Sequence, residues 1–242
     1  MLNHPIVIAH RGYSSDYPEN SLQAFQAAIV AGADAIELDI RFSADGFPIV
    51  FHDSDFSRFG LNAGNVSGLN LTNIKNLTLN QKDQSFEVPE LAEVAQVIPS
   101  NVTLLVEIKP DVTTINELAL RKIFETMATL NIAWKALCYD PVVLSMFKSI
   151  DKHICTVLNS DRPFSSGEIA ELKNSGVDEL SFYFPVVTEK LTQAVSENNM
   201  EYYVFTINTT KDLAMISNVS PNGIMSDNPQ WLKRALGKNE EK

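Results

Sequence analysis

The chain has 242 residues, 45% of them hydrophobic, and a formal net charge of −11. This composition supports a substantial core and excludes a disordered chain, and the length fits one large domain or two small ones. The acidic balance argues against general nucleic-acid or anionic-membrane binding, although a local cation and a few bases can invert the field inside a cleft.

Met1-Leu2-Asn3-His4-Pro5 lacks the basic region and cleavage site of a signal peptide and runs straight into the first predicted strand, residues 6–10. Further strands are expected at 35–40, 102–108, 135–139, 153–158, 179–182, 202–207 and 223–225, all short runs rich in apolar and β-branched residues. Amphipathic stretches between them predict helices at 21–31, 89–97, 113–130, 141–149, 165–175, 188–197, 211–217 and 229–236. Strand–helix alternation implies parallel strands with helical crossovers. Eight such units predict an α/β fold of the closed (β/α)8 TIM-barrel type. A doubly wound open sheet is the alternative, but no glycine-rich nucleotide loop is present.

Asp45-Gly46 predicts a hairpin turn that extends the second strand to Phe51. Residues 54–87 are polar and rich in Gly, Asn and Ser, with a weak helical signal at 72–77, and read as a small insertion. No linker divides the chain, so residues 1–242 are expected to form a single domain. No apolar stretch approaches the roughly 20 residues of a membrane span. Cys138 and Cys155 fit no metal spacing and read as core residues. A cytoplasmic protein, monomeric or weakly dimeric, with no nucleic-acid partner and no stable membrane insertion, is the expectation; the tail 238–242 is expected to fray.

The chemistry collects at predicted strand ends. Glu37 and Asp39 stand at i and i+2 in an apolar run, so a strand's period of two puts both acids on one face. Two unpaired carboxylates in a core would cost on the order of several kcal/mol each, so they need cations. Glu107 and Lys109 repeat the i, i+2 spacing at the end of the third strand, His10 and Arg11 end the first, and His52 ends the hairpin. The C-terminal ends of barrel strands are where such folds carry function. His4 and His153 lie outside this set and read as structural. A salt-bridge network of Glu37 and Asp39 with Arg11 and Lys109 is the bland alternative. Three carboxylates exceed what two bases neutralise, which favours a metal, and oxygen-only ligands point to Mg²⁺ or Ca²⁺. A cation beside two histidines and an arginine suits hydrolysis of a phosphate ester.

Several blocks, in order, carry a family resemblance: His10-Arg11-Gly12, Pro18-Glu19-Asn20-Ser21, Gly32-Ala33-Asp34, Glu37-Leu38-Asp39, Asp45-Gly46 and His52-Asp53. The blocks continue with Val88-Pro89-Glu90-Leu91, Glu107-Ile108-Lys109, Phe205-Thr206-Ile207-Asn208 and Gly223-Ile224-Met225-Ser226-Asp227-Asn228-Pro229. Together they closely resemble the glycerophosphodiester phosphodiesterase family, in its compact bacterial form. The resemblance implies a TIM barrel, one divalent cation on Glu37, Asp39 and Glu107, and a catalytic pair, His10 and His52. It implies that Arg11 and Lys109 hold the phosphate and that Phe205 meets the substrate. The implied reaction cleaves a glycerophosphodiester to sn-glycerol 3-phosphate and an alcohol. His10 is assigned as base and His52 as acid, an order that the sequence leaves open, as it does the choice of water or the substrate's 2-hydroxyl as nucleophile.

This chain departs from the family pattern at Phe205, where many members have Trp, at Ser226, where Thr is usual, and at Tyr139-Asp140-Pro141, where Ser-Phe is frequent. Asn20 and Ser21 either cap the first helix or join the site. Asp53 either orients His52 or is a loop carboxylate, and Arg58 either braces the insertion or reaches the substrate. A phospholipase D-type or lysophospholipid-directed activity would need an apolar wall, for which Phe56, Phe59 and Leu61 are candidates unless they form the insertion's own core. A non-catalytic phosphodiester-binding protein is a further reading, disfavoured because each expected catalytic position is filled.

Overall fold

The computed structural model describes residues 5–109 and 115–238. Strand β1 (Ile6–His10) leads to α1 (Leu22–Val30), where Ser21 Oγ caps the helix by accepting from the Ala24 amide at 3.1 Å. β2 (Ala35–Phe42) folds back on β3 (Pro48–Val50) as the expected antiparallel hairpin, with Ile40 opposite Val50.

The insertion is more structured than its composition suggested. It contains α2 (Leu71–Lys75) and a second hairpin, β4 (Leu79–Gln81) with β5 (Gln84–Phe86). The two turn residues, Lys82 and Asp83, both take positive φ (54° and 59°). That is the two-residue turn whose twist matches a hairpin, but Lys-Asp lacks the Asn-Gly signature that would have announced it. Ile49, Phe51, Phe56, Val66, Ile74, Leu79, Phe86 and Val88 form a separate small core here, with Phe59 and Leu61 packed against it. The three candidates for an acyl-chain wall therefore serve the insertion itself.

The alternation then continues through α3 (Leu91–Val97), β6 (Thr103–Ile108), α4 (Glu117–Leu130), β7 (Trp134–Cys138) and α5 (Pro141–Ile150). It finishes with β8 (Cys155–Ser160), α6 (Ser166–Asn174), β9 (Glu179–Tyr183), α7 (Glu189–Glu197), β10 (Glu201–Phe205), α8 (Thr210–Met215), β11 (Gly223–Ser226) and α9 (Pro229–Ala235). Asn116 caps α4, so its first described turn begins after the expected start; residues 113–114 lie outside the described residues, as does the tail from 239.

Eight strands close the barrel in the order β1, β2, β6, β7, β8, β9, β10, β11 and back to β1, with all neighbours parallel. This is the expected (β/α)8 architecture. Its main core lies between strands and helices, and a smaller interior one holds Ile8, Ala35, Leu105, Leu137, Val157, Tyr203 and Met225. Toward the strand starts, Lys135 pairs with Glu179 at 2.6 Å, and the Tyr203 hydroxyl donates to the same carboxylate at 2.7 Å. That satisfied trio lets charged groups floor the barrel without an unpaired ion. Cys138 is buried, Cys155 is half-buried, and neither is in a disulfide. Among the described residues no helix is long and apolar enough to cross a membrane.

Register fixes where the chemistry lands. His10 stands opposite Glu37 across β1 and β2, and Asp39 opposite Glu107 across β2 and β6. Three adjoining strands thus deliver their polar residues to one end of the barrel.

Candidate active site

The chain leaves β1 through two left-handed residues, Arg11 (φ 55°) and Gly12 (φ 81°). A Cβ on Gly12 would lie 2.7 Å from the backbone carbonyl carbon of Ala24 in α1, so this close approach requires glycine. The sharp exit aims the Arg11 amide at Glu37 Oε2 (3.0 Å) and its guanidinium at Asp39 (3.1 Å) and Glu19 (2.9 Å). Asn20, also left-handed at φ 56°, donates from its side chain to Asp39 Oδ2 at 2.8 Å. Of the adjacent pair, Ser21 is therefore the helix cap and Asn20 belongs to the site.

Glu37, Asp39 and Glu107 are buried, and one carboxylate oxygen from each lies within 4.8 Å of the others. Lys109 Nζ sits 2.9 Å from Asp39 Oδ1 and closer still to Glu107 Oε1. Asn159, from β8, donates to the other Glu107 oxygen at 3.1 Å. Burial pushes the Asp39 carboxyl up, but Lys109 and Arg11 outweigh it and hold it well below the carboxylate range. Burial dominates at Glu107, whose pKa is raised despite Lys109. Glu37 is raised as well, to about 8, by burial and then by the charge of Asp39. Its Oε1 is buried without a hydrogen-bond partner.

The salt-bridge alternative is thereby present in part and insufficient. Arg11 and Lys109 pair with Asp39, and Lys109 also contacts Glu107, while Glu37 has a buried oxygen with neither a hydrogen-bond partner nor a cation and prefers a proton. An all-oxygen set with one uncompensated negative charge fits a hard divalent cation.

Each histidine is held by a carboxylate at Nδ1. His10 Nδ1 meets Asp227 Oδ1 at 2.6 Å, which leaves Nε2 3.9 Å from Glu37. Asp227 is itself fixed by the Asn208 side-chain amide (2.6 Å) and Ser14 Oγ (3.2 Å). His52 Nδ1 meets Asp53 Oδ1 at 2.7 Å, and the Arg41 guanidinium donates to the His52 carbonyl at 2.8 Å. The two rings are tuned apart. Burial lowers the His10 pKa, but the bond to Asp227 and the charge of Glu37 outweigh it, so His10 is raised. Burial, helped by Arg11 and Lys109, wins at His52 against Asp39 and Asp53, so His52 is lowered.

Six of the residues singled out from sequence, His10, Arg11, Glu37, Asp39, Glu107 and Lys109, meet directly. His52 joins them through Asp53, Arg58, Glu19 and Arg11. Phe205 ends β10 beside the interior core and packs against Tyr139 and Tyr183, at ring-centroid distances of 6.4 and 6.1 Å. Sequence reasoning assigned no role to Asp227, Asn208 or Glu19, although all three lie in the quoted blocks. Asn159 lies in none; its one signal was a polar residue just past an apolar strand run.

The glycerophosphoryl diester phosphodiesterase family model matches residues 10–231. The chain belongs to this family. As a glycerophosphodiester phosphodiesterase it is a phosphoric diester hydrolase acting on glycerophosphodiesters. It is similar to the glycerophosphodiester phosphodiesterase of Caldanaerobacter subterraneus subsp. tengcongensis, 27% identical over 240 residues, covering 94% of this chain and 96% of that protein. It is also similar to human glycerophosphodiester phosphodiesterase 1, 32% identical over 165 residues, 65% of this chain and 49% of that one. Among solved structures, an Oleispira antarctica phosphodiesterase in complex with the product sn-glycerol-3-phosphate superposes with a TM-score of 0.85 at 25% identity, covering 96% of this chain and 97% of that one.

Proposed function

We propose that this glycerophosphodiester phosphodiesterase releases sn-glycerol 3-phosphate and a free alcohol, using one divalent cation and a pair of histidines. The cation, Mg²⁺ or Ca²⁺, would be held by Glu37, Asp39 and Glu107. The observation that carries the reading is the buried acidic trio, left one positive charge short beside two carboxylate-oriented histidines. The product bound by the Oleispira antarctica relative supports the assignment of sn-glycerol 3-phosphate.

A cation bound there would act as a Lewis acid, drawing charge from the phosphoryl oxygens. Arg11 and Lys109 add fixed positive charge against the phosphate, where the transition state gains negative charge. Asp227 keeps the His10 proton on Nδ1 when the ring is neutral, and its charge favours the doubly protonated ring. His10 therefore suits the general acid, giving its Nε2 proton to the departing alkoxide. His52, with its lowered pKa, suits the general base that takes the nucleophile's proton. This reverses the order assigned from sequence, where nothing fixed it; the rule is that environments pushing two pKa values apart define acid and base. Each proton transfer contributes roughly 10²–10⁴-fold. Phe205 presents an apolar face to the substrate at the mouth.

Residues 1–242 would form one catalytic domain with 54–87 inserted. The protein would work in the cytoplasm as a monomer or weak homodimer, without a nucleic-acid partner. Nothing favours a lysophospholipid substrate, because Phe56, Phe59 and Leu61 are engaged in the insertion's core. The test is release of glycerol 3-phosphate from glycerophosphocholine and glycerophosphoethanolamine. EDTA should abolish it, and Mg²⁺ or Ca²⁺ should restore it. Folded protein that releases none with either cation overturns the proposal.

A further inference from the structure

Arg58 is carried by the insertion, on a 3-10 turn over Ser57–Phe59, and reaches back over the barrel mouth. Its Nη1 and Nη2 form a fork on Glu19, at 3.0 Å to Oε2 and 2.6 Å to Oε1, while Nε donates to Asp53 Oδ2. Glu19 Oε1 also accepts from Arg11 at 2.9 Å, and Asp53 Oδ1 holds His52 at 2.7 Å. One guanidinium thus joins the carboxylate behind Arg11 to the carboxylate behind His52.

We propose that Arg58 is a positioning residue that sets the phosphate-binding Arg11 and the proton-transferring His52 at a fixed mutual geometry. The inference rests on the roles proposed above for Arg11 and His52. Arg58 acts on those two side chains through Glu19 and Asp53. The guanidinium is itself located by the insertion, since its carbon stands 4.7 Å over the Phe59 ring, which packs on Phe51 and Phe86. The β4–β5 hairpin adds a second grip, Gln81 accepting from the Glu19 amide at 2.9 Å. Exposed ion pairs usually contribute little, but a fork onto a carboxylate that is only 14% exposed has the geometry and shielding of one that orients its partner. Lysine could not replace it, because a single ammonium cannot span both carboxylates with a planar fork.

The experiment measures kcat and KM of metal-loaded Arg58→Gln, Arg58→Lys, Glu19→Gln, Asp53→Asn and the Glu19→Gln/Asp53→Asn pair, the last three also in the Arg58→Gln background, with melting curves to establish that each is folded. Arg58→Gln should lower kcat/KM about 10- to 100-fold, the usual cost of losing a group that orients an active-site side chain. Both kcat and KM should change, since one branch serves proton transfer and the other phosphate binding. Arg58→Lys should recover little of the loss. The Glu19 and Asp53 effects should be less than multiplicative together, and should become independent once Arg58 is gone. Folded Arg58→Gln with wild-type kcat and KM, or single effects that multiply in the presence of Arg58, overturns the inference. Failure of the wild type itself to turn over with added metal would instead overturn the proposed function.

Discussion

His10 and Asp227 are separated by 217 positions in the chain and lie 2.6 Å apart, ring nitrogen to carboxylate oxygen. The contact exists because β11 closes the barrel against β1, bringing Ser226 opposite Ala9 and Asp227 beside the exit of β1. Closing the barrel therefore also places the carboxylate that orients the His10 ring.

Replacing Asp227 with Asn should lower kcat by about 10- to 100-fold, because the amide no longer enforces the tautomer and removes the anion that favours protonated His10. The sign of the pH effect follows. The His10 pKa is raised in the enzyme, so a general acid there is lost only as pH rises through that raised value. Without the Asp227 charge the pKa falls, and the alkaline limb of the pH–kcat profile should move to lower pH. An alkaline limb that stays in place in a folded, active variant would remove His10 from the acid role.

Metal affinity should climb steeply with pH up to about 8, the raised value for Glu37, because burial and Asp39 favour its protonated form until a cation replaces the proton. Below that value each pH unit should cost about tenfold in apparent affinity, with about one proton released per ion bound. Calorimetry in buffers of different ionisation enthalpy reads both. The linkage has a consequence for the metal-free fold. A carboxyl raised from 4.5 to about 8 contributes nothing adverse below pH 4.5, and its stability contribution is lost as pH rises towards 8. Glu37→Gln should therefore raise the melting temperature of the metal-free protein above pH 8 while abolishing turnover. PH-independent affinity, or a variant destabilised at pH 9, would contradict this account.

The barrel was legible because period-two acids and β-branched runs are local signals, and the strand ends where His10, Glu37, Asp39 and Glu107 fall follow from them. The partners of those residues were not legible to the same degree. Asp227 reaches His10, and Asn159 reaches Glu107, only through barrel closure and the neighbouring of non-adjacent strands, which no sequence spacing encodes. The β4–β5 hairpin was missed because its turn is made by Lys82 and Asp83, residues that rarely advertise positive φ. The expected strand at 202–207 ends at Phe205 in the structure, while Ile207 still bonds across to the Met225 carbonyl at 2.9 Å. There hydrophobicity outlasts the regular ladder.

Gly12→Ala should destabilise the protein by roughly 1–3 kcal/mol, through a strained left-handed φ together with the 2.7 Å approach to Ala24. The larger effect should be functional. Relief of that clash requires the β1 exit to move away from α1, carrying the Arg11 amide off Glu37 and its guanidinium off Asp39. Metal affinity and KM should both worsen, while a urea melt of the metal-free protein reads the stability cost. A variant with unchanged metal affinity would separate the turn from the acidic trio.

Phe56→Ala tests whether the insertion is a working part of the site or a passenger. Phe56 is fully buried and stacks on Phe51 at 4.9 Å, so truncation should cost about 3–5 kcal/mol in the insertion's core. That core is separate from the barrel's, so the loss should fall first on local opening of residues 54–87, read by hydrogen exchange at β4 and β5. Opening there releases Arg58 and Gln81 together, and with them Glu19 and Asp53. Turnover should therefore fall at temperatures where the barrel amides remain protected. The trio of carboxylates, held by β2 and β6, should still bind metal under those conditions. Parallel loss of barrel protection and activity would instead mean that the insertion and the barrel unfold as one unit, and activity would then report global stability.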